Sequence, residues 1–190
     1  MPETKDLKEL ASAINELLSQ TKIDDVTSES NSFQELPEGY YLCSVDSAEI
    51  KESKTSHMPM IAFTFSVTEN GSAYIADAEG NAEMKELKGT KNRKIFMYYV
   101  LKDTASVRRF VSDMLKFEND KGQPLLDKEY FMNSEILGDA LKLLEGMNIY
   151  VQITKSELSD GTSRSWQNLI SWKRANALGF TSGNVTISKP

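Results

Sequence analysis

The chain has 190 residues, with 22 Lys and Arg against 28 Asp and Glu, one His and one Cys, for a formal charge of −6. A hydrophobic fraction of 39% is enough for a packed core. The lone Cys43 excludes an internal disulfide or a CxxC redox site, and the lone His57 excludes a multi-histidine metal site.

The longest apolar run, Ile95 to Leu101, has seven residues, far below the roughly 20 that span a bilayer. Met1 to Leu10 has neither the basic nor the apolar region of a secretory leader. The expected address is the cytoplasm, with no membrane partner. Charge is unevenly spread. Residues 1 to 39 hold three basic and nine acidic side chains, so the remaining 151 residues are formally neutral. Within those, the window from Lys85 to Arg109 contains eight cations against Glu86 and Asp103.

In chain order, Leu7, Leu10, Ile14, Leu17 and Leu18 recur at three- and four-residue spacing and predict a short amphipathic helix. The polar stretch from Ser19 to Glu38 reads as a linker. After Gly39 the period changes to two: Tyr41, Cys43 and Val45 alternate with polar residues as a half-buried strand. A polar turn, residues 51–57, leads to a second strand in which Ile61, Phe63, Phe65 and Val67 alternate with Ala62, Thr64 and Ser66, ending at Asn70-Gly71. Residues 72 to 90 have weak periodicity and read as a long loop or mobile finger. The third strand runs from Lys94 to Leu101. Helices are expected over Thr104 to Phe117 and over Ser134 to Leu144, the second with Ser134 as N-cap and Gly146 as its stop. A fourth strand carries Ile149, Val151 and Ile153 against Tyr150, Gln152 and Thr154, and a last one runs from Ser163 to Lys173.

Five strands with helical material between the third and fourth give the order of an oligonucleotide-binding (OB) barrel. The expected fold class is therefore mainly β with helices (α+β): an OB-type five-stranded barrel, a helical insertion between strands 3 and 4, and an N-terminal helical arm. The domain reading is an acidic arm and linker over 1–38, the barrel over 39–178 and a C-terminal tail over 179–190.

Catalytic constellations are not assembled by these residues. His57 sits in a polar turn and Cys43 on an apolar strand face, which predicts an exposed turn residue and a packed thiol. Residues 87–94 lack the GxxxxGK[ST] spacing of a phosphate loop, and no GxGxxG occurs. The expectation is a protein that is not an enzyme and has no metal or cofactor. What stands out is cations interleaved with aromatics: Lys91, Arg93 and Lys94 followed by Phe96 and Tyr98, and later Arg164, Trp166, Trp172 and Arg174 on one parity. Tyr150 joins this candidate set from the fourth strand. Ammonium and guanidinium groups that track phosphates, beside rings that stack on bases, are the means by which single strands are bound.

Several segments resemble a family of phage-encoded OB-fold proteins, considered single-stranded-DNA-binding proteins of phage replication and recombination. They are Leu36 to Tyr40, Glu49 to Thr55, Pro59 to Phe65 and Arg93 to Tyr98, and the resemblance spans roughly residues 36 to 175. It implies that Lys51 and Lys54, with Arg93, Lys94, Phe96 and Tyr98, line a strand-binding groove. The implied function is single-stranded DNA binding with little sequence preference in DNA replication or recombination, in a host cytoplasm. Unlike many such proteins, this chain ends in Ile187 to Pro190 without an acidic tail, so recruitment of replication or recombination proteins, or competition for the groove, falls to the acidic residues 1 to 38. Homo-oligomerisation is left open. The alternative is a non-enzymatic interaction or assembly module whose barrel and N-terminal helix bind partner chains, with surface aromatics as interface anchors.

Overall fold

The computed structural model describes residues 35–76, 78–119 and 121–180. The chain divides into two compact units, Met1–Glu35 and Leu36–Pro190. The helix expected over Leu7 to Leu18, most of the linker and nearly all of the C-terminal tail lie outside the described residues.

The second unit is built on a seven-stranded antiparallel sheet: β1 (Gly39–Glu52), β2 (Pro59–Val67), β3 (Gly71–Ala76), β4 (Ala82–Leu87), β5 (Lys94–Val100), β6 (Asn148–Glu157) and β7 (Ser163–Ile170). One edge of β1 pairs with β2 and, at Tyr40 opposite Ser72, with β3; the other pairs with β6, which carries β7. Read across, the main path is β7-β6-β1-β2-β5. Its end strands β5 and β7 share no ladder among the described residues, so the sheet is open. This corrects the expected five-stranded closed barrel. Helices α1 (Thr104–Met114) and α2 (Ser134–Leu143) connect the fifth and sixth strands of an open seven-stranded sheet, rather than forming an insertion between strands 3 and 4 of a barrel; α3 (Trp172–Ala177) follows β7.

β1 shows why register is tightly specified. Its apolar side chains are odd-numbered up to Val45 (Tyr41, Cys43, Val45) and even-numbered after it (Ala48). A regular strand would send one of these sets to the wrong face. A bulge between Val45 and Ser47 resolves the mismatch, and both sets become buried. The core-facing residues of β2, β5, β6 and β7 (Phe63, Met97, Val151 and Leu169 among them) join the same cluster, covered by Phe110 and Met114 of α1 and by Ala140 and Leu141 of α2. Gly71 stands where only a hydrogen fits, because a Cβ there would come within 2.3 Å of the Tyr41 ring.

The stretch expected to be a loop, residues 72 to 90, is instead the β3–β4 ribbon, in register from Gly71 opposite Leu87 to Ala76 opposite Ala82. Most of its side chains remain exposed, so the apolar alternation that marks half-buried strands is missing. α1 ends at Met114 rather than Phe117, and its N-cap Asp103 forms a reciprocal capping box with Ser106. α2 is capped by Asn133, whose Oδ1 accepts from the backbone of Glu135 and Ile136; Ser134 is its first residue rather than the cap.

The end of α1 and the residues just after it also bridge the gap between the two end strands. The buried Tyr99 hydroxyl on β5 donates to Asp113 Oδ2 at 2.9 Å, and Lys116 Nζ donates both to Asp113 Oδ1 at 2.6 Å and to the Leu169 carbonyl of β7 at 2.9 Å. Burial first, then the neighbouring Asp113 carboxylate, pushes the Tyr99 phenol well above its ordinary range.

Removing the carboxylate leaves a buried hydroxyl and an ammonium without their acceptor, so Asp113→Ala is expected to cost about 2 to 3 kcal/mol in urea denaturation. Tyr99→Phe costs about 1 kcal/mol at neutral pH. Because the raised phenol resists ionisation only in the folded state, its contribution is intact below the ordinary tyrosine range and is lost as pH climbs above about 10. Tyr99→Phe therefore makes the alkaline fall in stability shallower, which a urea series from pH 7 to 11 reads directly.

Candidate nucleic-acid interface

The face of the sheet turned away from the core carries the candidate residues, and pairing register gives their arrangement. In successive rows across β1, β2 and β5, Ser44 aligns with Ser66 and Lys94, Ser47 with Thr64 and Phe96, and Glu49 with Ala62 and Tyr98. Small side chains beside the two rings leave their faces open: Phe96 is 44% and Tyr98 61% exposed. The alternate residues of the same strand, Ile95, Met97 and Tyr99, are buried in the core. Strand alternation thus places a two-ring platform on the end strand β5.

Two of the cations around this platform are held in ion pairs. Lys94 Nζ lies 2.6 Å from Asp46 Oδ2 and donates to Ser66 Oγ at 2.6 Å, while Ser66 Oγ donates to the same Asp46 oxygen at 2.9 Å. Lys51, one row beyond Tyr98, pairs with Glu49 at 2.7 Å. Lys54 is exposed in the following turn, and Lys91 is exposed just before β5, its backbone N–H donating to Asn70 Oδ1. Arg93 has the parity of the core residues, is half-buried, and its charge is felt by the Tyr41 phenol. It does not share the face of Lys94.

The second candidate group divides. Trp166 on β7 is 37% exposed, donates from Nε1 to Ser156 Oγ, and has the Arg164 guanidinium 4.3 Å above its ring, a cation–π arrangement. Tyr150 and Trp172 are corrections to the expected stacking set: both are buried, in a small second cluster on the outer face. Trp172 meets Tyr150 edge-on at 5.5 Å, and Phe180 stacks on Tyr150 at 4.9 Å while also touching Tyr40. The last strand stops at Ile170 rather than Lys173, because Ser171 accepts from the Arg174 N–H and starts α3. The shared parity of Trp166, Trp172 and Arg174 therefore dissolves, and Arg174 is exposed on a helix.

Trp166 and Phe96 consequently belong to separate patches. Trp166 aligns with β6 at Thr154, one step past the pairing of Gly39 with Ile153, whereas Phe96 aligns with β1 at Ser47. Eight ladder steps along β1, the bulge counting as none, amount at about 3.3 Å each to roughly 26 Å over the sheet surface. α3 and Phe180 cover part of the face between them. Asp46, Thr64 and Ser66 were not among the candidates. The outer parity of Asp46, Thr64 and Ser66 was legible in their alternation, but the approach of Asp46 to Lys94 needs a 48-residue pairing that no local pattern announces.

Other chemistry is placed as follows. Burial pushes the Cys43 thiol well above its ordinary range. His57 Nδ1 lies 2.6 Å from Glu52 in an exposed turn. Among the described residues, no group of three or more His, Cys, Asp or Glu side chains is placed to hold a metal ion, and no helix is long and apolar enough to cross a membrane. Sequence comparison finds no matching family model and no match among curated proteins.

The two tryptophans should report on different surroundings. With Trp166 replaced by Phe, the remaining emission is expected to be blue-shifted and poorly quenched by acrylamide; with Trp172 replaced by Phe, it is red-shifted and readily quenched. Equal quenching of both variants would contradict the burial of Trp172.

Proposed function

We propose that this chain binds single-stranded DNA with little sequence preference on the outer face of its sheet, through base stacking on Phe96 and Tyr98. The observation that carries the proposal is the exposure of these two rings, two residues apart on a strand whose other side is core. Every base has a π-face, so a pair of rings at strand spacing accepts successive bases without reading their edges. Duplex DNA keeps its bases stacked on each other and offers this platform nothing. Lys91 and Lys54 supply cations at the margins, and the Arg164–Trp166 pair offers a second contact further along the sheet. A place in replication or recombination, with partner proteins recruited through residues 1 to 38, belongs to the same proposal and rests on the sequence resemblance.

The second reading is a protein-interaction module. It is favoured by β5 itself, which among the described residues has no ladder on its far edge, since a strand added there would lie beside the same two rings.

The test is fluorescence anisotropy of a labelled, unstructured 30-base oligonucleotide. Phe96→Ala and Tyr98→Ala are each expected to weaken binding by about 5- to 160-fold, corresponding to roughly 1 to 3 kcal/mol per stacked base. Both side chains are exposed, so unfolding free energies should move by no more than about 0.5 kcal/mol. Absence of binding at low salt, or full binding by the double alanine variant, would remove the proposal and leave the interaction module.

A further inference from the structure

Two cations of the outer face, Lys94 and Lys51, are already paired, and the Lys94 pair sits at the bulge in β1. Asp46 is the residue that the bulge between Val45 and Ser47 leaves without a partner in β2. It keeps the outer-face parity of Ser44, and its carboxylate pairs with Lys94, two residues ahead of Phe96. The pair is not sealed: the Lys94 and Asp46 side chains are 50% and 31% exposed. The ammonium is within reach of a ligand's phosphate, but it is engaged by Asp46 and Ser66.

We infer that Asp46 limits the affinity of the Phe96–Tyr98 platform for nucleic acid by holding Lys94, and thereby favours unpaired strands over duplex. The inference rests on the proposed single-strand binding and names the residue that sets its strength. A phosphate beside Phe96 must take Lys94 from Asp46 while meeting the Asp46 carboxylate at close range. The gain from that exchange is small, because one ion pair replaces another. Lys51 and Glu49 repeat the arrangement at the far end of the platform. Duplex, which presents mainly phosphates, meets a nearly neutral face, whereas a single strand adds the stacking of its bases.

Asp46→Asn in the full-length chain removes the charge and keeps an acceptor for Ser66. Titrated against a labelled 30-base oligothymidylate across a KCl series, it is expected to bind about two- to fivefold more tightly at low salt. The slope of log K against log salt should steepen by about 0.7, the value of one added phosphate contact on a single strand. Duplex of the same length should gain by at least as large a factor, narrowing the discrimination. In a Lys94→Met background the gain should shrink to that of Asp139→Asn, an exposed carboxylate on α2, which packs on the opposite face of the sheet. Melting temperatures confirm that each variant is folded. A gain from Asp46→Asn no larger than that from Asp139→Asn, or one that persists without Lys94, overturns the inference. Binding that requires Phe96 and Tyr98 but ignores Asp46 overturns it alone, and no oligonucleotide binding by any variant removes the proposed function along with it.

Discussion

The long first strand is the constraint on which the rest of the structure depends. β1 pairs with β2 and β3 along one edge and with β6 along the other, so its facing fixes the facing of the whole sheet. A slip of one residue would exchange core and surface in every neighbour. The bulge at Asp46 keeps Val45 and Ala48 on the same side, while Asp46 stays on the outer face, where it meets Lys94.

With the core confined to one side, the outer face is free to carry groups that folding does not require. It is not left entirely bare. α3 and Phe180 cover Tyr150 and Leu42, and the Tyr74 hydroxyl donates to the Leu178 carbonyl at the end of the helix. This second cluster withdraws two aromatic residues from the surface and splits the remainder between β5 and β7. The platform on β5 keeps its exposure because Thr64, Ser66 and Ala62, its neighbours on β2, are too small to reach over the rings.

Strands with one buried face were legible in the sequence because burial writes a period of two; the expected spans around Tyr41, Phe63, Met97 and Val151 all lie in strands. α1 and α2 were legible from their apolar stripes, although the cap of α2 is Asn133 rather than Ser134. The β3–β4 ribbon was not legible, since neither of its faces is buried enough to select apolar residues. Closure to a barrel was inferred from element order, and order does not determine whether end strands meet. Here the space between β5 and β7 is crossed by side chains of Asp113 and Lys116 instead of a backbone ladder. Among the site residues, parity grouped Phe96 and Tyr98 with Lys94, and Trp166 with Arg164, but which parity faces outward is read only from the fold. Trp172 was misplaced because Ser171 ends the strand one residue earlier, a local capping event that overrides alternation.

The electrostatics of this face differ from what the cation-rich window suggested. A run of eight basic residues against two acidic ones implies a positive surface only if its neighbours in space are neutral. β1 contributes Asp46, which lies far from that window in sequence and pairs with its Lys94 in the fold. Charges summed along the chain therefore overstate the field that a ligand meets. Long-range steering needs uncompensated charge, whereas stacking acts at contact and does not depend on it. If this chain binds nucleic acid as proposed, its formal charge of −6 favours contact through exposed rings over attraction at a distance.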